Sequence, residues 1–111
     1  MHSDREKTSG ERFHVSSTTV NGRTTVPVAG EVDYLTSSRL SDELASAVAS
    51  GAQCVDVDFS RVSFCDCSGL NALLSASEYA RDEGIGFSVS GPVAPAVERL
   101  LKATGAAVGL P

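Results

Sequence analysis

The sequence is short of positive charge, of cysteine and of long apolar runs, and each shortage removes a class of function. With 9 Lys and Arg against 14 Asp and Glu, the formal net charge is −5. Such a chain gains little from counterion release on a nucleic acid or from attraction to an anionic membrane surface, so neither is an expected partner. No apolar stretch reaches the roughly 20 residues that span a bilayer. The opening residues MHSDREKTSGER also lack the apolar centre of a signal peptide. A cytoplasmic protein is expected. The three cysteines, Cys54, Cys65 and Cys67, are an odd number without the spread-out spacing of a disulfide framework, so reduced thiols are expected.

The groups that catalysis would require are also missing. His2 lies in the leader and His14 in the first predicted strand, so neither stands beside a nucleophile in the sequence. Cys-Ser-Gly-Leu around Ser68 does not match the G-x-S-x-G elbow of a hydrolase, and no Gly-rich loop is present to cradle a phosphate. No enzymatic activity, catalytic residue or cofactor is therefore expected. Zinc takes four ligands, usually with wider paired spacing than Cys54, Cys65 and Cys67 offer, so no metal site is expected. Alternate residues of an extended segment point apart, and a Cys65–Cys67 disulfide would be strained. Redox modulation through Cys65 and Cys67 is the alternative that this leaves.

What is present suits one domain: 111 residues, 41% hydrophobic and 21% charged, enough to bury a single core. Residues 1–12 read as a flexible leader and 13–111 as the domain. Phe13 to Val20 and Thr24 to Val32 read as strands joined by the tight turn Asn21-Gly22. Pro27 cannot donate a ladder hydrogen bond and is expected at a bulge or with its nitrogen turned away from a neighbour. A helix is predicted from the caps Thr36 and Ser37 to Gly51, with Leu40, Leu44, Ala47 and Val48 on its inner face. Cys54 to Phe59 alternates apolar with acidic residues and reads as a strand that buries Val55, Val57 and Phe59. A second helix is predicted from about Ser68 to Glu83, with Leu70, Leu73, Leu74, Ser77 and Ala80 on one stripe. Ile85 to Val89 reads as a strand. A last helix starts near Pro95, carries Val97, Leu100 and Leu101 on one face, and stops at Gly105. The predicted order is β-β-α-β-α-β-α, an α/β fold with a mixed sheet that begins in an antiparallel hairpin.

Between Phe59 and Leu74 come a short polar break, the buried-type pair Phe64 and Cys65, and then Asp66-Cys67-Ser68-Gly69-Leu70 at a helix start. Asp66 is placed to cap free amides, Ser68 to hold its hydroxyl at the helix entrance, and Gly69 to leave the backbone there uncovered. Local chemistry alone is met by simple capping. A phosphate on Ser68 would also find helix amides and the positive end of the dipole, so the domain need not unfold on modification.

Phe64-Cys65-Asp66-Cys67-Ser68-Gly69-Leu70 resembles the F-x-D-S-S-G-L segment of bacterial anti-sigma factor antagonists, which are STAS domains. Val28-Ala29-Gly30-Glu31-Val32-Asp33 is similar to their G-E-[LIV]-D element. Pro95-Ala96-Val97-Glu98-Arg99-Leu100-Leu101, with Thr104-Gly105, is similar to their last helix. The resemblance implies a STAS-like fold with Ser68 as the phosphorylation site. The unphosphorylated form would bind an anti-sigma factor that is a serine kinase, which sets the sigma factor free. Phosphorylation would reverse this, and a serine phosphatase acting on Ser68 would restore binding. The partner surface would comprise Asp33, Asp66, Cys67, Ser68, Gly69, Leu70 and Asn71. Asp33 also has a local reading, since Asp after a strand often begins the next turn. Two departures stand out. Cys67 replaces a serine that many relatives carry, and relatives continue past the last glycine into a further strand and a closing helix, which this sequence is expected to lack. The same fold also serves in stressosome-like and transport-associated complexes, which makes an interaction module of that kind the alternative function.

Overall fold

The computed structural model describes residues 12–91, 93, 95–103 and 105–109, so nearly all of the predicted leader, and Thr104 of the last motif, lie outside the described residues. The described residues form β1 (Phe13–Val15), β2 (Thr18–Val20), β3 (Arg23–Val32), α1 (Ser37–Ala49), β4 (Cys54–Cys65), α2 (Cys67–Asp82), β5 (Gly86–Ser90), α3 (Pro95–Ala103) and β6 (Ala107–Gly109). One mixed sheet runs in the order β1-β3-β4-β5-β6, with β2 continuing the β1 edge along β3. The mixed α/β architecture is as expected, with two differences in element order. The first predicted strand is two strands, and a short parallel strand, β6, follows the last helix.

The split has a local cause. Val15 pairs with Val28 and Thr18 with Thr25, which is one continuous antiparallel register. The gap at Ser16-Ser17 therefore faces Val26-Pro27, where proline has no N–H to offer the ladder. Asn21 and Gly22 both take positive φ, 54° and 80°, as a two-residue hairpin turn of the type I′ class requires.

Val26, Val28, Val55, Val57, Phe87 and Val89 are buried on the apolar face of the sheet, where they meet Leu40, Leu44, Leu73 and Leu101 from the three helices. Two helix stripes differ from the periodic reading. In α2 the buried positions are Gly69, Ala72, Leu73, Ala76, Ser77 and Ala80, while Leu70 and Leu74 are only half-buried. The helix turns its small residues inward because it is packed between the sheet, α1 and α3, and small side chains allow that close approach. In α3, Leu101 is buried but Leu100 is exposed, and the side chain of Val97 lies outside the described residues.

On the polar face, Asp56 accepts hydrogen bonds from Arg23 and Ser88, which ties β3, β4 and β5 together. Burial pushes the Asp56 carboxyl upward, but the Ser88 and Arg23 hydrogen bonds and the arginine charge outweigh it and hold it below its ordinary value. A carboxylate whose value is lowered by folding contributes stability above the unfolded value, and that stability is lost as the pH falls through the folded one. Asp56→Asn should therefore melt below the wild type at pH 7, with the difference closing as the pH is lowered below about 4. Thermal melts of both proteins from pH 7 to pH 2 check this, and a difference independent of pH would contradict it.

Candidate functional site

The site lies at the carboxyl ends of β3 and β4, where two parallel strands each feed a helix. Val32 pairs with Cys65, and the Asp66 N–H donates to the Val32 carbonyl at 3.0 Å. Asp33 and Asp66, the next residue of each strand, are thereby brought to one end of the sheet.

Each aspartate is used locally. Asp66 is the N-cap of α2: its Oδ1 accepts the Ser68 N–H at 2.9 Å and the Gly69 N–H at 3.4 Å. The N-cap of α1 is Thr36, as expected, but its hydroxyl caps no helix amide, and the turn that leads into the helix is held instead by Asp33. The Asp33 Oδ1 accepts the Leu35 N–H at 2.9 Å and the Thr36 N–H at 3.2 Å, and its carbonyl accepts the Ser37 N–H at 2.8 Å. The Thr36 hydroxyl instead donates back to the Glu31 carbonyl at 3.0 Å. Among the described residues neither aspartate has an ion pair.

Ser68 is the second residue of α2 and half-buried, and among the described residues its hydroxyl has no hydrogen-bond partner. Cys67 and Asn71 are exposed and Leu70 is half-buried, so they border the hydroxyl on the helix surface. Gly69 is buried beneath it. A Cβ at Gly69 would lie 2.5 Å from Val32 Cγ1 and 2.6 Å from Cys65 Sγ, closer than side chains pack. Glycine is therefore what lets the first turn of α2 sit down on the strand ends. The predicted site residues are thus gathered in one place, with Gly69 beneath the surface as support.

The apolar part of the site was not foreseen. Tyr34, Leu35 and Phe64 stand at this same end of the sheet with 74%, 68% and 54% of their surface exposed. Phe64 was expected to be buried, but β4 runs on through it, and two bulges that cancel leave it with the outward parity of Asp56 and Asp58. Pro27 and Ala29 face Asp58 and Arg61, and Gly30 and Glu31 face Val62 and Phe64, so β4 carries one extra residue in each interval. Each bulge reverses the inside-outside alternation. The first turns Val62 inward, and the second restores the original parity, with Phe64 out and Cys65 in. For Tyr34-Leu35 the available signal was an apolar pair in a polar turn, outside any helical or strand period.

Cys65 is half-buried, and its thiol donates to the Asp66 carbonyl at 3.6 Å. Burial first, then the charge of Asp66 and the nearness of Cys67, push it up to about 11. At neutral pH it is a thiol and a poor nucleophile. His14 is exposed on β1 at the edge of the sheet. No group of three metal-ligating side chains occurs among the described residues, and none of their helices is long and apolar enough to cross a membrane.

A family model described as Mlab, STAS domain matches residues 16–110. No curated protein matches the chain. Among solved structures, an anti-sigma factor antagonist from Mycobacterium paratuberculosis is 27% identical with a TM-score of 0.63, over 84% of this chain and 78% of that one. The phosphorylated form of the Bacillus cell fate determinant SpoIIAA is 18% identical with a TM-score of 0.68, over 89% of this chain and 90% of that one. RsbS of Moorella thermoacetica is 21% identical with a TM-score of 0.67, over 88% and 87% of the two chains.

Proposed function

Since the chain belongs to the STAS domain family, we propose that it is an anti-sigma factor antagonist, a cytoplasmic switch whose Ser68 hydroxyl decides whether a kinase partner stays bound. The observation that carries this reading is the Ser68 hydroxyl at the entrance of α2, without a partner among the described residues, in a surface that also holds Asp33, Asp66 and the exposed Tyr34, Leu35 and Phe64. Unphosphorylated, that surface docks an anti-sigma factor serine kinase, and the sigma factor is set free. The apolar side chains supply contact area and the aspartates meet basic groups.

Phosphorylation adds about −1.5 to −2 charges next to Asp66. Two amides that would receive the phosphate, those of Ser68 and Gly69, already bond Asp66. The new charge therefore falls on the docked partner, which is released, and a serine phosphatase restores the hydroxyl. The chain acts as substrate and ligand, while the kinase brings ATP and Mg²⁺.

Incubation with the partner kinase and ATP should add a single phosphate on Ser68. Intact mass with fragment mapping reads the result, and phosphate found elsewhere with Ser68 untouched overturns the proposal.

A further inference from the structure

Arg39 stands where the helix does not want a cation. It is the third residue of α1, whose first turn contains no acid, and the N-terminal end of the helix dipole is positive. Its guanidinium lies over the ring of the fully buried Phe13, 5.0 Å from the centroid. Arg12 and Arg23 have carboxylate partners, whereas Arg61, Arg81 and Arg99 make no ion pair among the described residues. Arg12 donates to Glu31 Oε1 at 2.8 Å, and Arg23 bonds Asp56. Among the described residues Arg39 has no carboxylate partner.

Arg39 borders a pocket of about 290 Å³ whose other walls are Arg12, Glu31, Asp33, Leu35 and Thr36. The pocket's own acids do not serve it, since Glu31 is taken by Arg12 and the Asp33 Oδ1 by the amides of Leu35 and Thr36. The guanidinium sits over Phe13 on an exposed residue, and a guanidinium is a planar fork whose geometry fits a carboxylate with two hydrogen bonds. The pocket is continuous with the docking face through Asp33 and the exposed Leu35.

We infer that Arg39 is a specificity residue of the docking face, and that it takes the carboxylate of an Asp or Glu side chain of the kinase partner, with Leu35 packed beside the pair. The inference rests on the kinase-docking reading. Asp66 at the entrance of α2 and Arg39 in the first turn of α1 make a polar pattern that a partner with the reverse charges fits in one orientation only.

The test uses the full chain and the purified kinase that phosphorylates Ser68, with affinity and association rate measured at about 50 mM and about 300 mM salt. Arg39→Glu should bind at least about tenfold more weakly at low salt, mainly through a slower association rate, and the gap should narrow at high salt. Arg39→Gln should lie between it and the wild type. Arg81→Gln removes an exposed arginine in the last turn of α2, at the opposite end of that helix from Ser68. It should stay within about twofold of the wild type, since a distant exposed charge is largely screened. Thermal melts separate binding from folding, because an acid in the first turn of α1 suits the dipole and Arg39→Glu should melt no lower than Arg39→Gln. If Arg39→Glu fails to fold, Arg39→Gln decides. Equal affinity and equal salt dependence for wild type and the Arg39 variants overturn the inference and leave kinase docking in place. An Arg81→Gln loss as large as that of Arg39→Gln overturns it too. Absence of binding by the wild type removes the docking reading itself, and the inference with it.

Discussion

Ser68→Asp should lower the affinity for the kinase at least tenfold and leave the melting temperature unchanged. The two quantities separate because the new carboxylate meets different surroundings in the free and bound protein. In the free protein it sits at the second position of α2, where the dipole favours an anion by about 0.3–1 kcal/mol. Repulsion from Asp66, whose Oδ1 lies 2.9 Å from the Ser68 amide nitrogen, opposes this. In the complex the charge is shut against the partner, and among the described residues no cation is paired to either site aspartate. An unpaired charge at the dry centre of an interface costs about 2–5 kcal/mol, and each 1.4 kcal/mol is about a factor of ten. Ser68→Ala, which adds no charge and removes the acceptor of the phosphate, should keep wild-type affinity and stay competent in the presence of ATP. Calorimetric titration of both variants against the kinase, with a melt of each, reads the outcome. Equal affinities in two folded proteins place Ser68 outside the interface and end the switch mechanism.

The second large effect is on the fold. Gly69→Ala should destabilise the protein by about 1–3 kcal/mol, the range for forcing extra volume into a packed site. The added Cβ meets Val32 Cγ1 at 2.5 Å and Cys65 Sγ at 2.6 Å, and Val32 is fully buried, so α2 or the strand ends must move. The helix propensity gained, about 1 kcal/mol for replacing glycine by alanine, offsets only part of this. Chemical denaturation measures the loss, and Ser75→Ala, an exposed position of the same helix, is the control that gains propensity without a clash. A Gly69→Ala protein as stable as that control would mean that the contact relaxes without cost. Since Val32 and Cys65 lie directly under the Ser68 turn, the same substitution should also weaken kinase binding more than Ser75→Ala does.

Chemical identity and spacing by themselves determined a good deal about this protein. Alternating valines in Val55 and Val57, the Asn21-Gly22 turn, the Leu40, Leu44 and Val48 stripe and the glycines after each helix report local preferences that tertiary packing did not override. The charge of −5 and the grouping of Asp66, Ser68 and Gly69 likewise follow from composition and from what a helix entrance requires. What packing decided is where those local units meet. Two bulges in β4, each a single extra residue against β3, turn Val62 inward between them and restore the alternation by Phe64, and no periodic reading of Cys54–Cys65 contains them. The inward face of α2 was chosen by its neighbours, which take Ala72, Ala76 and Gly69 where hydrophobicity alone would have taken Leu70 and Leu74. Asp33 came to hold the turn into α1 because the end of β3 is held in place by β4, and Arg39 became a stacked cation because β1 brings Phe13 beneath it. Side-chain alternation and helical period are properties of a chain segment, whereas register, crowding and pairing across strands exist only once distant segments touch.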